Sequence, residues 1–402
     1  MRTHLFILSF VMSLISFSSC VRDYSQEGSF GYDIAFFEAN QIETVDLCDG
    51  DQAHVLVVPA YQGRVMTSSA SGMDGDSFGW INYDLIASGE MREAFNPVGG
   101  EERFWLGPEG GPFSYYFKKG AEQVYANWLV PAILDRDPFQ VVGKTGNAVS
   151  LHAETSLVNA SDVRFDIGID RSVSVLGRRD LADALGVEIP DALHAVAYTT
   201  VNVIKNTGDR AWTKESGMPS IWMLGMFNPT ETTTVFIPYS EDAEGTVVND
   251  MYFGKVPAER LKVAGGVIYF KIDGKYRSKI GLPASRAKDI CGSYDSGKNV
   301  LTILKYSVPE GNNPYMNGQW GEQEDPFAGD VINSYNDGPT ETGFVQGPFY
   351  EIETSSPGAE LAPGESLTHT QFVFHIQGDE KLLARVVREV FDLDLETIKN
   401  QF

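Results

Sequence analysis

The feature that most constrains this chain is a period of two. VRFDIGIDRSVSVL (163–176), AVAYTTVNVIKN (195–206), NVLTILKYS (299–307) and THTQFVFHI (368–376) alternate apolar and polar residues. Such a pattern puts one apolar face on an extended strand and does not suit a helix. VIYFKIDGKYRSKIGL (267–282) reads as a hairpin turning at Asp273-Gly274. Forty glycines and nineteen prolines punctuate the chain at the short intervals that suit many strands joined by turns. Helical spacing is confined to a short connection at 178–187 and an amphipathic C-terminal stretch, 379–402, after Gly378. The fold class expected is all-β, a large antiparallel β-sandwich closed by a C-terminal helix. No 20–50-residue repeat and no later linker divides it, so residues 31–402 are expected to form one domain.

The first residues carry a different signal. Arg2, the apolar run LFILSFVMSLISF (5–17) and the small-residue ending SSC (18–20) make a secretory signal, too short to span a bilayer comfortably. FSSC resembles a bacterial lipoprotein processing site, which would make Cys20 the lipidated first residue, followed by a polar tether over 21–30. The chain is then expected in the cell envelope, held to a bacterial outer membrane by acyl chains on Cys20 and facing the periplasm or the surface. Cys48 and Cys291 remain, and either a disulfide or two free thiols is compatible with their spacing.

With 31 basic and 55 acidic residues the formal charge is −24. That field repels phosphate backbones and argues against nucleic acid as a partner. From Tyr306 through Glu380 there are thirteen acidic residues and no Lys or Arg. Within that gap, WGEQEDPFAGDVINSYNDGP (320–339) mixes Trp320, Glu322, Asp330, Asn333, Tyr335, Asn336 and Asp337. Carboxylates and amides bond to hydroxyls, and aromatic rings cover apolar faces, so a neutral carbohydrate is the expected ligand, with no cofactor and no metal. GGEERFWLGPEGGPFSYYF (99–117) adds Arg103, Trp105 and Glu109 in a glycine-rich setting. Glu351 and Glu353, two apart on a strand, face one side and need a cation from outside the gap; Arg103 and Lys279 are the candidates.

IETSSPGAELAPGESLTHTQFVF (352–374) resembles the C-terminal part of aldose 1-epimerases, in which a Glu-Thr strand, a proline turn and a Leu-x-Pro-Gly-Glu step precede the last strand. AHVLVVPAYQGRVMTSSASG (53–72) is similar to that family's opening strands. The resemblance implies the galactose-mutarotase-like supersandwich and a sugar site on its concave face. ERFWLGPEGG, GKYRSKIGLP and FYEIETSSP also resemble Bacteroidetes lipoproteins of the same superfamily, a likeness that implies no activity. The mutarotase resemblance makes Glu353 the catalytic base, taking the anomeric hydroxyl proton, and Arg103 a sugar ligand. The family's acid is a histidine, which MPSIWMLGMFNP (218–229) lacks; Ser220 to Trp222 occupy the region. Asp330, Glu322 or Glu109 would have to supply the proton, with Trp105 and Trp320 stacking on the ring and Trp222 among the substrate-binding residues. Two other readings stay open: a non-catalytic glycan-binding lipoprotein, and glycoside cleavage by a carboxylate pair. A second carboxylate in the pocket of Glu353 would favour an enzyme.

Overall fold

The computed structural model describes residues 24, 26–340 and 343–402; Cys20 and its signal lie outside them. In chain order, α1 (Phe30–Ala39) leads into β1 (Val45–Asp49), β2 (Ala53–Val58) and β3 (Arg64–Ser69). Next come α2 (Tyr83–Ser88), β4 (Arg103–Gly107), α3 (Ala132–Asp135), β5 (Gln140–Lys144), β6 (Ala148–Val158), β7 (Arg164–Val175), α4 (Arg178–Leu185) and β8 (His194–Asn206). They are followed by β9 (Ser220–Phe227), β10 (Thr233–Pro238), β11 (Leu261–Ala264), β12 (Val267–Lys271), β13 (Ser278–Pro283), β14 (Ile290–Asp295) and β15 (Val300–Tyr306). The chain closes with β16 (Asp330–Asn336), β17 (Tyr350–Ser355), β18 (Ser366–Gln377), α5 (Glu380–Phe391) and α6 (Leu395–Lys399).

The strands form three antiparallel sheets: β1-β2-β3, a ten-stranded sheet β11-β12-β10-β14-β15-β18-β8-β7-β6-β5, and a five-stranded sheet β13-β16-β17-β9-β4. The last two pack face to face. Ile221, Met223, Ile280, Ile332 and Ile352 from the five-stranded sheet meet Ile169, Tyr198, Leu304 and Val373 from the ten-stranded one in a shared core. Polar pairs also cross that layer, with Thr354 Oγ1 2.6 Å from Gln371 Oε1 and 2.9 Å from His369 Nε2. On the other face of the large sheet, Phe374 and Ile376 pack against Leu181 of α4, Leu383 and Val387 of α5 and Ile398 of α6. Both faces of the large sheet are therefore covered, while the small sheet keeps one face for loops.

Three expectations change, and the choice left open for the two cysteines is decided. The 267–282 stretch is not a hairpin: β12 pairs with β10 and β11, whereas β13 pairs with β16 in the other sheet. Gly274 does adopt the left-handed φ of +68°, but its turn carries the chain between sheets, held by Gly274 N–H donating to Asn336 Oδ1. The C-terminal helix is two helices, because Asp392 takes a left-handed φ of +54° and ends α5. The tether gives way before its expected end, since Ser29 caps α1 and Phe30 is buried. Cys48 and Cys291 are both free.

Candidate functional site

The open face of the five-stranded sheet is where the unusual side chains gather. Its register aligns Gly281, Asn333, Glu353, Leu224 and Arg103 across the strands, and sets Lys279, Tyr335, Glu351 and Met226 in the adjacent row. Both glutamates sit on the central strand, β17, and the cations sit on the two edge strands. Arg103 Nη2 donates to Glu351 Oε1 at 2.6 Å, and Lys279 Nζ to Glu353 Oε2 at 2.8 Å. All four side chains are buried. The partners required by the cation-free gap are thus the two that the sequence offered.

Electrostatics here follow from burial. Desolvation, with the neighbouring Glu353 charge, pushes Glu351 up to about 8 against the pull of Arg103. Burial works to lower Lys279, but Glu353, Glu109 and Glu351 outweigh it and hold the ammonium above its ordinary range. Burial also raises Glu109, which lies beside Lys279 and Glu353.

One testable consequence concerns pH. Because the folded pKa of Glu351 lies above its ordinary 4.5, its contribution to stability is fully present below pH 4.5 and is lost as pH rises through about 8. A single group changes stability by at most about 1.4 kcal/mol per pH unit. Urea unfolding at pH 5 and pH 8 is expected to show a shallower loss in Glu351→Gln than in the parent. Equal losses in the two proteins would rule out Glu351 as the source.

Above this floor lies a cavity of about 790 Å³, walled by Phe95, Tyr125, Tyr252, Phe253, Trp320 and Phe344, with Glu109, Arg277 and Lys279 among them. The volume is within the range of ~300–1,000 Å³ of small-molecule sites. A deeper recess of about 70 Å³ shares Glu109, Lys279, Arg277 and Trp320 with it and reaches Arg103, Trp105, Trp222, Tyr335 and Glu351. A second recess of about 30 Å³ reaches Asp330 and Asn333.

Local sequence explains how these loops close. A Cβ on Gly110 would collide with the backbone of Gln319, so glycine there lets the Glu109 loop lie against the Trp320 loop. Gln123 ties them together, accepting from Gly111 N–H and Gly321 N–H, each at 2.8 Å. Asp330 is re-aimed by a register shift between Leu282 and Pro283, and Gly281 leaves it room. It accepts from Tyr252 Oη at 2.6 Å and Asn249 Nδ2 at 3.3 Å, yet burial still raises it to about 6.

The other expected residues divide. Trp222 donates from Nε1 to Glu353 Oε2 at 2.9 Å, so it occupies the carboxylate rather than a sugar face. Trp105 is locked by Nε1 donating to Leu134 O at 2.9 Å, and Arg103 lies 4.4 Å over its ring. Tyr335 lines the recess and donates to Asp337 Oδ1 at 2.7 Å; Asp337 also accepts from Gly347 N–H and braces Tyr335 from behind. Two expectations are corrected. Glu322 is exposed and lines none of the three cavities. Asn336 points to the opposite face, where Nδ2 donates to Tyr276 O at 2.9 Å, as strand alternation from Asn333 requires. Glu353 is fully enclosed and lines no cavity itself. Tyr252, Phe253, Phe95 and Arg277 were not singled out; only Arg277 stood in a quoted motif, GKYRSKIGLP. Among the described residues no cluster of three His, Cys, Asp or Glu could hold a metal, and no helix is long and apolar enough to cross a membrane.

Residues 28–402 match a family described as Family of unknown function (DUF6786). No curated protein matches. Among solved structures, the Slr1438 protein from Synechocystis sp. PCC 6803 aligns with a TM-score of 0.51 at 13% identity, over 84% of this chain and 96% of that one. A putative aldose 1-epimerase from Escherichia coli K12 aligns at 0.48 and 12% identity, over 84% and 100%. A galactose mutarotase-like protein from Lactobacillus casei ATCC 334 aligns at 0.46 and 9%, over 83% and 99%.

Proposed function

We propose that this chain, which belongs to the DUF6786 family, is a cell-envelope enzyme that moves protons at the anomeric region of a carbohydrate. The observation that carries the reading is that two carboxyls raised by burial, Glu109 and Glu351, line one recess together with Lys279 and Arg103. General acid–base chemistry needs such groups poised near neutrality. The carbohydrate class rests on the aromatic walls of the main cavity and on the motif similarity of residues 352–374 to mutarotases.

The assignment differs from the one the resemblance implied. Glu353 is enclosed behind Lys279 and Trp222, so it acts as a positioning residue whose charge keeps the proton on Glu351. Glu109 takes the anomeric O–H proton, the ring C–O bond breaks as the carbonyl forms, and Glu351 gives its proton to the ring oxygen. Closure on either face returns both protons. No histidine is needed, which accommodates the Ser220–Trp222 region.

The test is a panel of mono- and oligosaccharides screened by thermal shift, with hits followed by proton NMR for anomer exchange. Exchange accelerated by the protein supports the enzyme. Binding with no exchange over hours favours a glycan-binding module, the reading that the enclosure of Glu353 suggests. A panel in which nothing binds removes the carbohydrate from the proposal. The envelope location has its own check: Cys20→Ala is expected to abolish palmitate labelling and release the chain from membranes, and a parent that takes no label would refute it.

A further inference from the structure

We infer that the sugar taken by this cavity carries an anionic group, and that Arg277 is the residue that binds it. The inference rests on the carbohydrate reading above and names the class of sugar. It replaces the neutral ligand expected from the acid-rich 320–339 stretch, because Glu322, Glu324 and Asp325 of that stretch are exposed and away from the cavity.

The cavity reverses the sign of the chain. In a protein of net charge −24, the described residues that line the main cavity include Arg92, Arg277 and Lys279 against a single carboxylate, Glu109. Two of those cations are already matched, Lys279 by Glu353 at 2.8 Å and Arg92 by Glu90 at 3.0 Å. Arg277 has no carboxylate within 4.0 Å among the described residues. Its guanidinium carbon lies 3.8 Å from the centre of the Phe253 ring, and its Nε donates to Tyr335 Oη at 3.4 Å. Tyr335 is itself fixed by Asp337. The flat group is therefore held by its face and one edge, and its two Nη nitrogens make no hydrogen bond among the described residues. That leaves the paired edge that matches a carboxylate, sulfate or phosphate in two parallel bonds.

Deeper in the same recess, Arg103 repeats the pattern. Its Nη2 holds Glu351, while Nε and Nη1 are buried without a partner. An acidic sugar seated on Arg277 and reaching toward Glu351 would pass beneath Trp320 and along Lys279, both of which line the main cavity and the recess. Arg103 and Lys279 are buried and Arg277 is half-buried, which weakens competition from solvent and salt relative to an open surface.

The experiment is calorimetric titration of the purified protein with glucuronate and galacturonate, with glucose 6-sulfate and glucose 6-phosphate, and with glucose and galactose as neutral parents. At least one acidic sugar is expected to bind ten-fold or more tightly than its parent, and whichever acid group does so identifies the anion. Arg277→Gln is expected to reduce that sugar to the affinity of the parent, and Arg277→Lys to keep part of the preference. Because the preference is read first on the unmodified protein, a poorly folded variant leaves the test decisive. Parents binding as tightly as their acids would overturn the inference and leave the carbohydrate reading standing; an unchanged preference in a folded Arg277→Gln would overturn the role of Arg277. Failure of every sugar to bind would overturn both.

Discussion

Glu109→Gln is expected to lower the rate of anomer exchange by about 10²–10⁴-fold while leaving sugar affinity within a few-fold, the usual contribution of a positioned acid or base. Glutamine keeps the size of the side chain and can still hydrogen-bond to a hydroxyl, but it cannot take a proton. Glu109 is the carboxylate common to the main cavity and to both recesses, and burial raises its pKa, which makes it a stronger base than a solvated glutamate. With Glu109 ionised and Glu351 protonated in the working form, the pH–rate profile is bell-shaped. Its alkaline limb falls near the value of about 8 set at Glu351 by burial and by Glu353. In Glu351→Gln that limb disappears together with most of the rate. Glu322→Gln is the matched control, an exposed glutamate outside the cavity, and its rate is expected to equal the parent's. An unimpaired Glu109→Gln would sink the assignment, and an impaired Glu322→Gln would show that the loss reflects charge in general.

What the amino-acid order made legible was the part governed by alternation and by charge bookkeeping. Period-two runs became β7, β8, β15 and β18 within the large sheet. The absence of Lys and Arg between Tyr306 and Glu380 forced the partners of Glu351 and Glu353 to come from distant strands, and Arg103 and Lys279 are those partners. Parity could also have separated Asn333 from Asn336, since residues three apart on a strand face opposite sides. Other features were closed to local reading. The 267–282 stretch has the period and the turn of a hairpin, and only long-range pairing sends β13 to another sheet. Glu109 and Glu322 look alike as acids in glycine-rich loops. Which one turns inward is decided by Gln123 and by the close approach of Gly110 to Gln319. The bulge that turns Asp330 toward Asn333 is likewise a property of the pairing.

Lys279→Met is expected to cost about 3–5 kcal/mol of stability, the penalty for leaving a buried partner charge uncompensated. Lys279 and Glu353 are 2.8 Å apart with 9% and 1% of their side chains exposed, so water cannot replace the lost ammonium. Trp222 Nε1 remains on Glu353 Oε2, but a neutral donor does not balance a charge in this setting. Methionine itself is not the difficulty. It occupies a slot where the Lys279 ammonium lies 5.0 Å from the Trp222 ring and 5.4 Å from the Tyr252 ring, and a thioether packs well against aromatic faces. The cost should therefore belong to Glu353, and adding Glu353→Gln should return much of it. Urea unfolding of the two single variants and the double variant closes that cycle, with a coupling of about 0.5–3 kcal/mol expected for residues in direct contact. If the double variant is no more stable than Lys279→Met alone, the loss lies in packing and not in the buried charge. The electrostatic account of the floor, on which the proton held by Glu351 depends, would then fail with it.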